Sequence, residues 1–134
     1  MGLLLNLAYL TALLFAGPWI FLSRFRRGKS LGSLRQKLFG ELPTSPVGRR
    51  VIWLHAVSVG EVVQLQSIVK RLSEQYPDHR LVITTTTTTG YGVAVEKYGS
   101  QHEVCYFPYD FTWSVRRALK RIRPALVVLV ELEL

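Results

Sequence analysis

The stretch VIWLHAVSVGEVVQLQSIVKRLSEQY, residues 51–76, decides the fold. Its first four residues form a short apolar run, which is typical of a strand buried on both faces. We interpret residues 55–60 as a loop. From Glu61 to Tyr76, apolar side chains recur at the period of an amphipathic helix. A buried strand followed at once by a helix is the repeating unit of an α/β fold.

The same alternation continues to the end of the chain. Further apolar runs predict three more strands, at residues 81–85, 104–107 and 126–130. Helices are predicted between them, ending at Tyr98 and at Ile122. This order predicts a parallel sheet with right-handed crossovers, and so a Rossmann-like α/β domain over residues 50–134. Because open parallel sheets are normally covered on both faces, we expect the chain to be the front part of a longer protein.

The N-terminal residues have a different character. Residues 1–23 carry no charged side chain, and they read as an almost unbroken apolar run. About 20 helical residues span roughly 30 Å, the thickness of a bilayer core, so we predict a single transmembrane anchor helix at residues 1–23. A signal peptide would carry positive charge before the apolar run, whereas here Arg24, Arg26 and Arg27 follow it. The positive-inside rule then places the following domain in the cytoplasm.

The basic charge of the chain is concentrated just after this predicted anchor. The formal net charge is +8. Residues 24–50 hold eight Lys or Arg and one acid, whereas the rest of the chain after them holds nine bases and eight acids. This distribution favours an anionic membrane, rather than nucleic acid, as the partner of the basic segment, although a solvated linker would also fit.

Residues 24–49 are therefore predicted to be a basic juxtamembrane segment and linker. Within it, Leu31–Leu42 has apolar residues at helical spacing and could lie at the membrane surface, with Arg35 and Lys37 off its apolar face. The single cysteine, Cys105, excludes a disulfide framework and is predicted to be a buried core residue.

The first candidate site is HAVSVGE, residues 55–61, at the carboxyl end of the first strand, where open α/β sheets bind ligands. A helix N-terminus there presents free N–H groups, and Gly60 permits a close approach. Glu61 is either a ligand-facing acid or a first-turn acid that complements the helix dipole. With one glycine and no Gly-Lys pair, the loop matches neither a dinucleotide fingerprint nor a P-loop.

The second candidate site is Glu131-Leu132-Glu133, directly after the last predicted strand. Carboxylates two residues apart on a strand point to the same face. An acid next to so apolar a strand is costly unless it faces a cleft or a partner, so we favour a site over a structural role. The threonine run 84–89 with Gly90 is either a strand and a helix N-cap, or a set of hydroxyls that binds sugar or phosphate.

Taken together, these segments resemble the 3-deoxy-D-manno-octulosonic acid (Kdo) transferase family. The resemblance rests on IWLHAVSVGE (52–61), LVITTTTTTG (81–90), YFPYD (106–110) and RPALVVLVELEL (123–134), with KLFGELP (37–43) and the apolar N-terminus in support. It implies the N-terminal, acceptor-binding domain of a two-domain GT-B glycosyltransferase. The second Rossmann-like domain, which would bind the CMP-activated sugar, is not in this chain.

The resemblance also implies an activity and the residues that carry it. The enzyme would be an inverting glycosyltransferase of the inner membrane that transfers Kdo from CMP-Kdo to the lipid A precursor, lipid IVA, without a metal or other cofactor. Glu61 would be the general base and Glu131 the transition-state stabiliser. Substrate-binding roles would fall to Ser58, Gly60, Thr89, Gly90 and Glu133. The alternatives are a glycosyltransferase of the same architecture with another glycolipid acceptor, and a non-catalytic membrane-bound remnant.

Overall fold

A computed structural model describes residues 6–12, 14–16 and 31–131 of the chain. Residues 6–12 and 14–16 are helical. The remaining elements are α1 (Leu31–Phe39), β1 (Val51–Ala56), α2 (Val59–Gln75), β2 (Arg80–Thr85), α3 (Thr88–Tyr98), β3 (Glu103–Tyr106), α4 (Thr112–Ile122) and β4 (Pro124–Val130).

The four strands form one parallel sheet in the order β3-β2-β1-β4, which confirms the predicted Rossmann-like α/β class. From β1 the chain moves outward through β2 to β3, and then crosses back to place β4 on the other side of β1. The direction of winding therefore reverses between β1 and β4. In such sheets a ligand crevice opens at this switch point, beyond the carboxyl ends of the strands.

Each face of the central part of the sheet is covered by its own pair of helices, whereas the edge strand β4 is largely exposed. On one face, alternate residues of β1 such as Leu54 pack with Val62 and Leu65 of α2 and with Ala94 of α3. On the other face, Trp53 packs with Val82 of β2 and with Ala118 and Ile122 of α4. Cys105 belongs to this second cluster, which confirms that it is a core residue. Burial raises the pKa of its thiol to about 11, against the opposing charge of Arg80.

The segment before β1 contributes to the same core. Leu42 is fully buried with Val51 and Trp53, so the packed core begins before the boundary expected at residue 50. The expectation that Lys37 lies off the buried face of its helix is wrong, because its side chain is only 7% exposed. Its Nζ donates a 2.8 Å hydrogen bond to the carbonyl of Thr86 and lies 4.4 Å from the ring centre of Tyr106.

The predicted anchor at residues 1–23 falls largely outside the described residues. Within residues 6–12, 14–16 and 31–131, no helix has the length and apolar character needed to cross a membrane. The helical N-terminal residues contact the start of α4. Asn6 and Thr112 are joined by a 3.2 Å side-chain hydrogen bond, and the ring of Tyr9 meets Phe111 edge-on at 5.3 Å.

Candidate active site at the carboxyl edge of the sheet

The two candidate segments lie on neighbouring strands at the same edge of the sheet. Ala56 at the end of β1 pairs with Val130 at the end of β4, so Val57 and Glu131 leave the sheet side by side. These two ends flank the switch point. The fold therefore brings together the HAVSVGE loop and the first of the two acids that follow β4.

The connection from β1 to α2 is shorter than predicted. β1 continues through His55 and Ala56, and α2 already begins at Val59, which leaves Val57 and Ser58 as the connection. The strand runs further because Ala56 is fully buried and the polar ring of His55 finds hydrogen-bond partners on β2. Gly60 consequently lies exposed in the first turn of α2 rather than in a loop.

Ser58 and Glu61 form a capping box at the start of α2. The Ser58 hydroxyl accepts a 3.4 Å hydrogen bond from the backbone N–H of Glu61. In return, Oε2 of Glu61 accepts hydrogen bonds from the backbone N–H of Val57 at 2.5 Å and of Ser58 at 3.3 Å. The capping role that the sequence allowed for Glu61 is thus present, and it uses one of the two carboxylate oxygens.

The other oxygen of Glu61 remains open. Among the described residues, Oε1 has no hydrogen-bond partner. It is also not among the described side-chain atoms that are buried away from solvent without a hydrogen bond. The side chain is 8% exposed, so this oxygen reaches solvent at the edge of the sheet. Burial would raise the pKa of Glu61, but hydrogen bonds from Val57 and Ser58 outweigh it, and the net pKa is lowered. Glu61 is therefore an anion at neutral pH with one oxygen free to meet a ligand.

The threonine run serves the structure of this edge. Thr85 and Thr87 both donate side-chain hydrogen bonds to the carbonyl of Val57, at 3.2 and 3.3 Å. Thr87 is also the N-cap of α3, accepting from the N–H of Gly90 at 3.0 Å. The interpretation as a strand and an N-cap is confirmed. Thr89 is exposed in the first turn of α3, and no contact in the structure decides whether it or Gly90 binds substrate.

The absence of a side chain at Gly90 leaves room for the hydroxyl groups that hold the β1–α2 connection. A Cβ atom at this position would lie 2.6 Å from the Thr85 hydroxyl and 2.7 Å from the Thr87 hydroxyl, closer than packed atoms approach. Both hydroxyls hold the carbonyl of Val57. A side chain here would therefore displace the support of the connection that carries Glu61.

We expect Gly90→Ala to destabilise the domain. Overpacking costs about 1–3 kcal/mol, which exceeds the roughly 0.5–1 kcal/mol that alanine gains over glycine in a helix. Gly92→Ala is the matched control, because a Cβ there meets no described atom within 4 Å, and it should be neutral or stabilising. Urea unfolding of both variants measures the difference, and equal stability would contradict the packing described for Gly90.

Two further residues of this edge were not singled out from the sequence. His55 is 8% exposed, its ring stacks on Phe107 with centres 3.9 Å apart, and Nδ1 lies 3.1 Å from both the carbonyl and the hydroxyl of Thr84. Burial lowers its pKa, against the hydrogen bond to Thr84 and the charge of Glu61. The signal was present, since Val51, Trp53 and His55 alternate toward one face. The second residue is Lys37, placed above Tyr106 by the packing of α1.

The remaining predicted site residues are placed as follows. Glu131 is exposed directly after β4. Glu133 lies outside the described residues, so the expectation that both acids share a face stays a prediction. Ser58 is half-buried, and its hydroxyl is engaged in the cap of α2.

A cavity of about 620 Å³ lies at the opposite, amino-terminal edge of the sheet. Its lining includes Arg49, His79, Arg80, His102 and Glu103. The C-terminal ends of α2 and α3 face this edge, whereas ligands of open parallel sheets bind at the carboxyl edge. Despite its size, we therefore do not place the active site in this cavity.

This geometry defines a class of protein. It is an α/β domain with an ionised, ligand-accessible glutamate at the switch point of its parallel sheet. The chain belongs to the 3-deoxy-D-manno-octulosonic-acid transferase (Kdo transferase) family, whose sequence profile matches residues 25–134. The resemblance seen in the sequence motifs is thereby confirmed.

Individual relatives agree with this assignment. The 3-deoxy-D-manno-octulosonic acid transferase of Chlamydophila psittaci is 31% identical over 115 residues, covering 85% of this chain and 27% of that protein. The transferase of the same name from Haemophilus influenzae is 34% identical over 83 residues, covering 62% of this chain and 19% of that protein. A bifunctional glycosyltransferase/methyltransferase of Fusobacterium nucleatum is 39% identical over 85 residues, covering 62% of this chain and 13% of that protein. The chain thus spans about a quarter or less of these relatives, and no solved structure matches it.

Proposed function

We propose that this chain is the acceptor-binding portion of an inverting glycosyltransferase that transfers Kdo from CMP-Kdo to lipid IVA in lipopolysaccharide core biosynthesis. The observation that carries the proposal is Glu61, an anion at the switch point whose Oε2 is fixed by backbone N–H groups while Oε1 is open. Membership of the Kdo transferase family supplies the sugar.

In this proposal Glu61 is the general base. Oε1 takes the proton from an acceptor hydroxyl as that oxygen bonds to the anomeric carbon of Kdo. The bond from that carbon to the phosphate of CMP breaks on the opposite face, CMP leaves with the electron pair, and the configuration inverts. A carboxylate with a lowered pKa is a weak base toward a free hydroxyl. It becomes effective as the attacking oxygen loses electron density and its own proton becomes acidic.

Glu131 is assigned to the stabilisation of positive charge in the transition state. Glycosyl transfer passes through an oxocarbenium-like state, which a nearby carboxylate favours. Glu131 is exposed at the end of β4, beside the strand that leads to Glu61. We further propose substrate contacts for Ser58, Gly60, Thr89, Gly90 and Glu133, and the binding of CMP-Kdo by a second domain outside this chain.

The membrane anchor at residues 1–23 belongs to the same proposal. In the helical residues near the N-terminus, large apolar side chains are exposed rather than packed, namely those of Leu7, Leu10, Leu14 and Phe15. The basic residues that follow would lie on anionic head groups of the inner membrane, at about 1 kcal/mol each near the surface. An anchored domain on the cytoplasmic side would meet a lipid acceptor in the plane of the membrane.

The acceptor-binding role predicts a selective binding pattern for the chain as it stands. Purified in detergent micelles, it should bind lipid IVA and should not bind CMP-Kdo, because the proposed donor site is in another domain. Incubation with both should yield no transferred Kdo. Calorimetric titration of each ligand and mass analysis of the mixture measure these outcomes. Measurable turnover, or binding of CMP-Kdo in the absence of lipid IVA, would contradict the proposal that acceptor and donor bind to different domains.

A different glycolipid acceptor is the second candidate. It is supported by the Fusobacterium nucleatum relative, whose name specifies glycosyl transfer and names neither a sugar nor an acceptor. Titration with a panel of glycolipids of different head groups distinguishes the two, since the leading proposal requires lipid IVA to bind tightest.

A further inference from the structure

We propose that His55 is a substrate-binding residue whose Nε2 atom accepts a hydrogen bond from a hydroxyl of the acceptor sugar at the carboxyl edge of the sheet. The inference rests on the proposed function, since it takes the ligand of this edge to be the sugar of a glycolipid acceptor.

The inner nitrogen of His55 is fixed as a hydrogen-bond donor. Nδ1 lies 3.1 Å from the carbonyl oxygen of Thr84, and a carbonyl oxygen can only accept. The Thr84 hydroxyl, also 3.1 Å from Nδ1, donates its own hydrogen to the carbonyl of Leu54 and accepts one from Nε1 of Trp53 at 2.8 Å. Nδ1 therefore carries the hydrogen, and the neutral ring leaves the lone pair on Nε2.

The outer nitrogen is available to a ligand. Within the described part of the chain, Nε2 has no hydrogen-bond partner, and it is not among the side-chain atoms that are sealed from solvent without one. Nε2 thus reaches solvent. Its location follows from the register, because His55 is the last residue but one of β1 and pairs with Thr84 and Leu129 on the flanking strands. This places the open nitrogen at the carboxyl edge, with the ring on the side of β1 that faces β2.

The ring is held in place before any ligand arrives. It stacks on Phe107 with centres 3.9 Å apart, and the bond to Thr84 fixes its rotation. Burial lowers the pKa of His55, so the ring is neutral and Nε2 accepts rather than donates.

The chemistry of this edge then matches a ligand with several hydroxyls. Oε1 of Glu61 and Nε2 of His55 are both open acceptors, the first in the opening turn of α2 and the second near the end of β1. A neutral Nε2 and an ionised carboxylate can only accept, so each selects a hydrogen-bond donor, which a sugar hydroxyl provides and an ionised phosphate or carboxylate does not.

Two substitutions separate binding from packing. In His55→Asn the side-chain amide can occupy the place of Nδ1 and keep the bond to Thr84, but nothing replaces Nε2. In His55→Gln the longer amide can occupy the place of Nε2 but loses the bond to Thr84. His79→Asn, at the opposite edge of the sheet, makes the same chemical change away from the crevice and is the control.

The dissociation constant for lipid IVA and the unfolding temperature are measured on the full chain in detergent. We expect His55→Asn to bind about 5- to 10-fold more weakly than the wild type, the loss of one hydrogen bond, and to unfold at a lower temperature because it loses the stacking on Phe107. His55→Gln should bind more tightly than His55→Asn although it unfolds at a lower temperature. His79→Asn should match the wild type in binding.

Two results would overturn the proposal for His55. One is equal binding by the wild type and His55→Asn. The other is binding that follows stability across the variants, with His55→Gln the weakest, which would make His55 a packing residue. A wild-type chain that is folded but binds no lipid IVA gives a different result, because it refutes the proposed acceptor and removes the basis of this inference with it.

Discussion

Replacing Glu61 by glutamine is expected to lower kcat at least about 100-fold in a full-length transferase that carries this domain. Glutamine keeps the size of the side chain, and its amide oxygen can still accept the hydrogen bonds from Val57 and Ser58 that complete the capping box. It cannot accept a proton. Folding and acceptor binding should therefore change little while turnover is lost.

Glu74→Gln is the matched control for this experiment. It makes the same change near the other end of α2, on an exposed side chain, and should leave kcat unchanged. Initial rates and thermal unfolding are measured on the same preparations. If Glu61→Gln turned over at the normal rate, Glu61 would be a capping residue only. Its lowered pKa adds a second check, because the acid limb of the pH–rate profile should lie below the ordinary value of 4.5.

Deleting residues 1–23 is expected to move the chain from the membrane pellet to the supernatant at high salt. Salt screens the attraction between the basic segment and anionic lipids. In about 1 M salt, only the apolar anchor should therefore hold the chain in the membrane. The shortened chain should stay folded, since the core is built from residues after Lys37. Centrifugation of membranes at low and high salt, with circular dichroism of the soluble fraction, measures both.

A variant with Arg24, Arg26 and Arg27 changed to glutamine is the control for the anchor. It should remain in the pellet at high salt, because it keeps the apolar run and loses only surface attraction. A full-length chain that is already soluble without detergent would refute the anchor.

The sequence predicted β1 and β2 well because they are buried on both faces and are therefore nearly continuous in apolar residues. The strand β4 is equally apolar, although it is largely exposed at the edge of the sheet. The carboxyl end of β1 was missed because His55 is polar. Only the neighbouring strand shows that Thr84 provides hydrogen-bond partners for the His55 ring. The burial of Lys37 was missed for a related reason. Helical periodicity treats a lysine as solvated, and the ring of Tyr106 that covers it comes from a distant strand.

The candidate site was predicted in part. The position of Glu61 at a strand end follows from the order of elements, but the capping box and the open Oε1 depend on side-chain rotamers that no pattern specifies. The threonine run left two interpretations: the contacts of Thr85 and Thr87 with Val57 show its structural role, whereas substrate binding by Thr89 stays a prediction. The adjacency of Glu131 to the β1 end required the strand order, which reverses at β1.

The central claim is that the acceptor binds at the carboxyl edge, between the β1–α2 connection and the end of β4. Hydrogen–deuterium exchange of the full chain in micelles, with and without lipid IVA, tests it most directly. We predict slower exchange at Val57, Ser58 and the first turn of α2, with no change around the cavity at the amino edge that contains Arg49 and His102. Protection confined to that cavity, with the β1–α2 connection unchanged, would contradict the account.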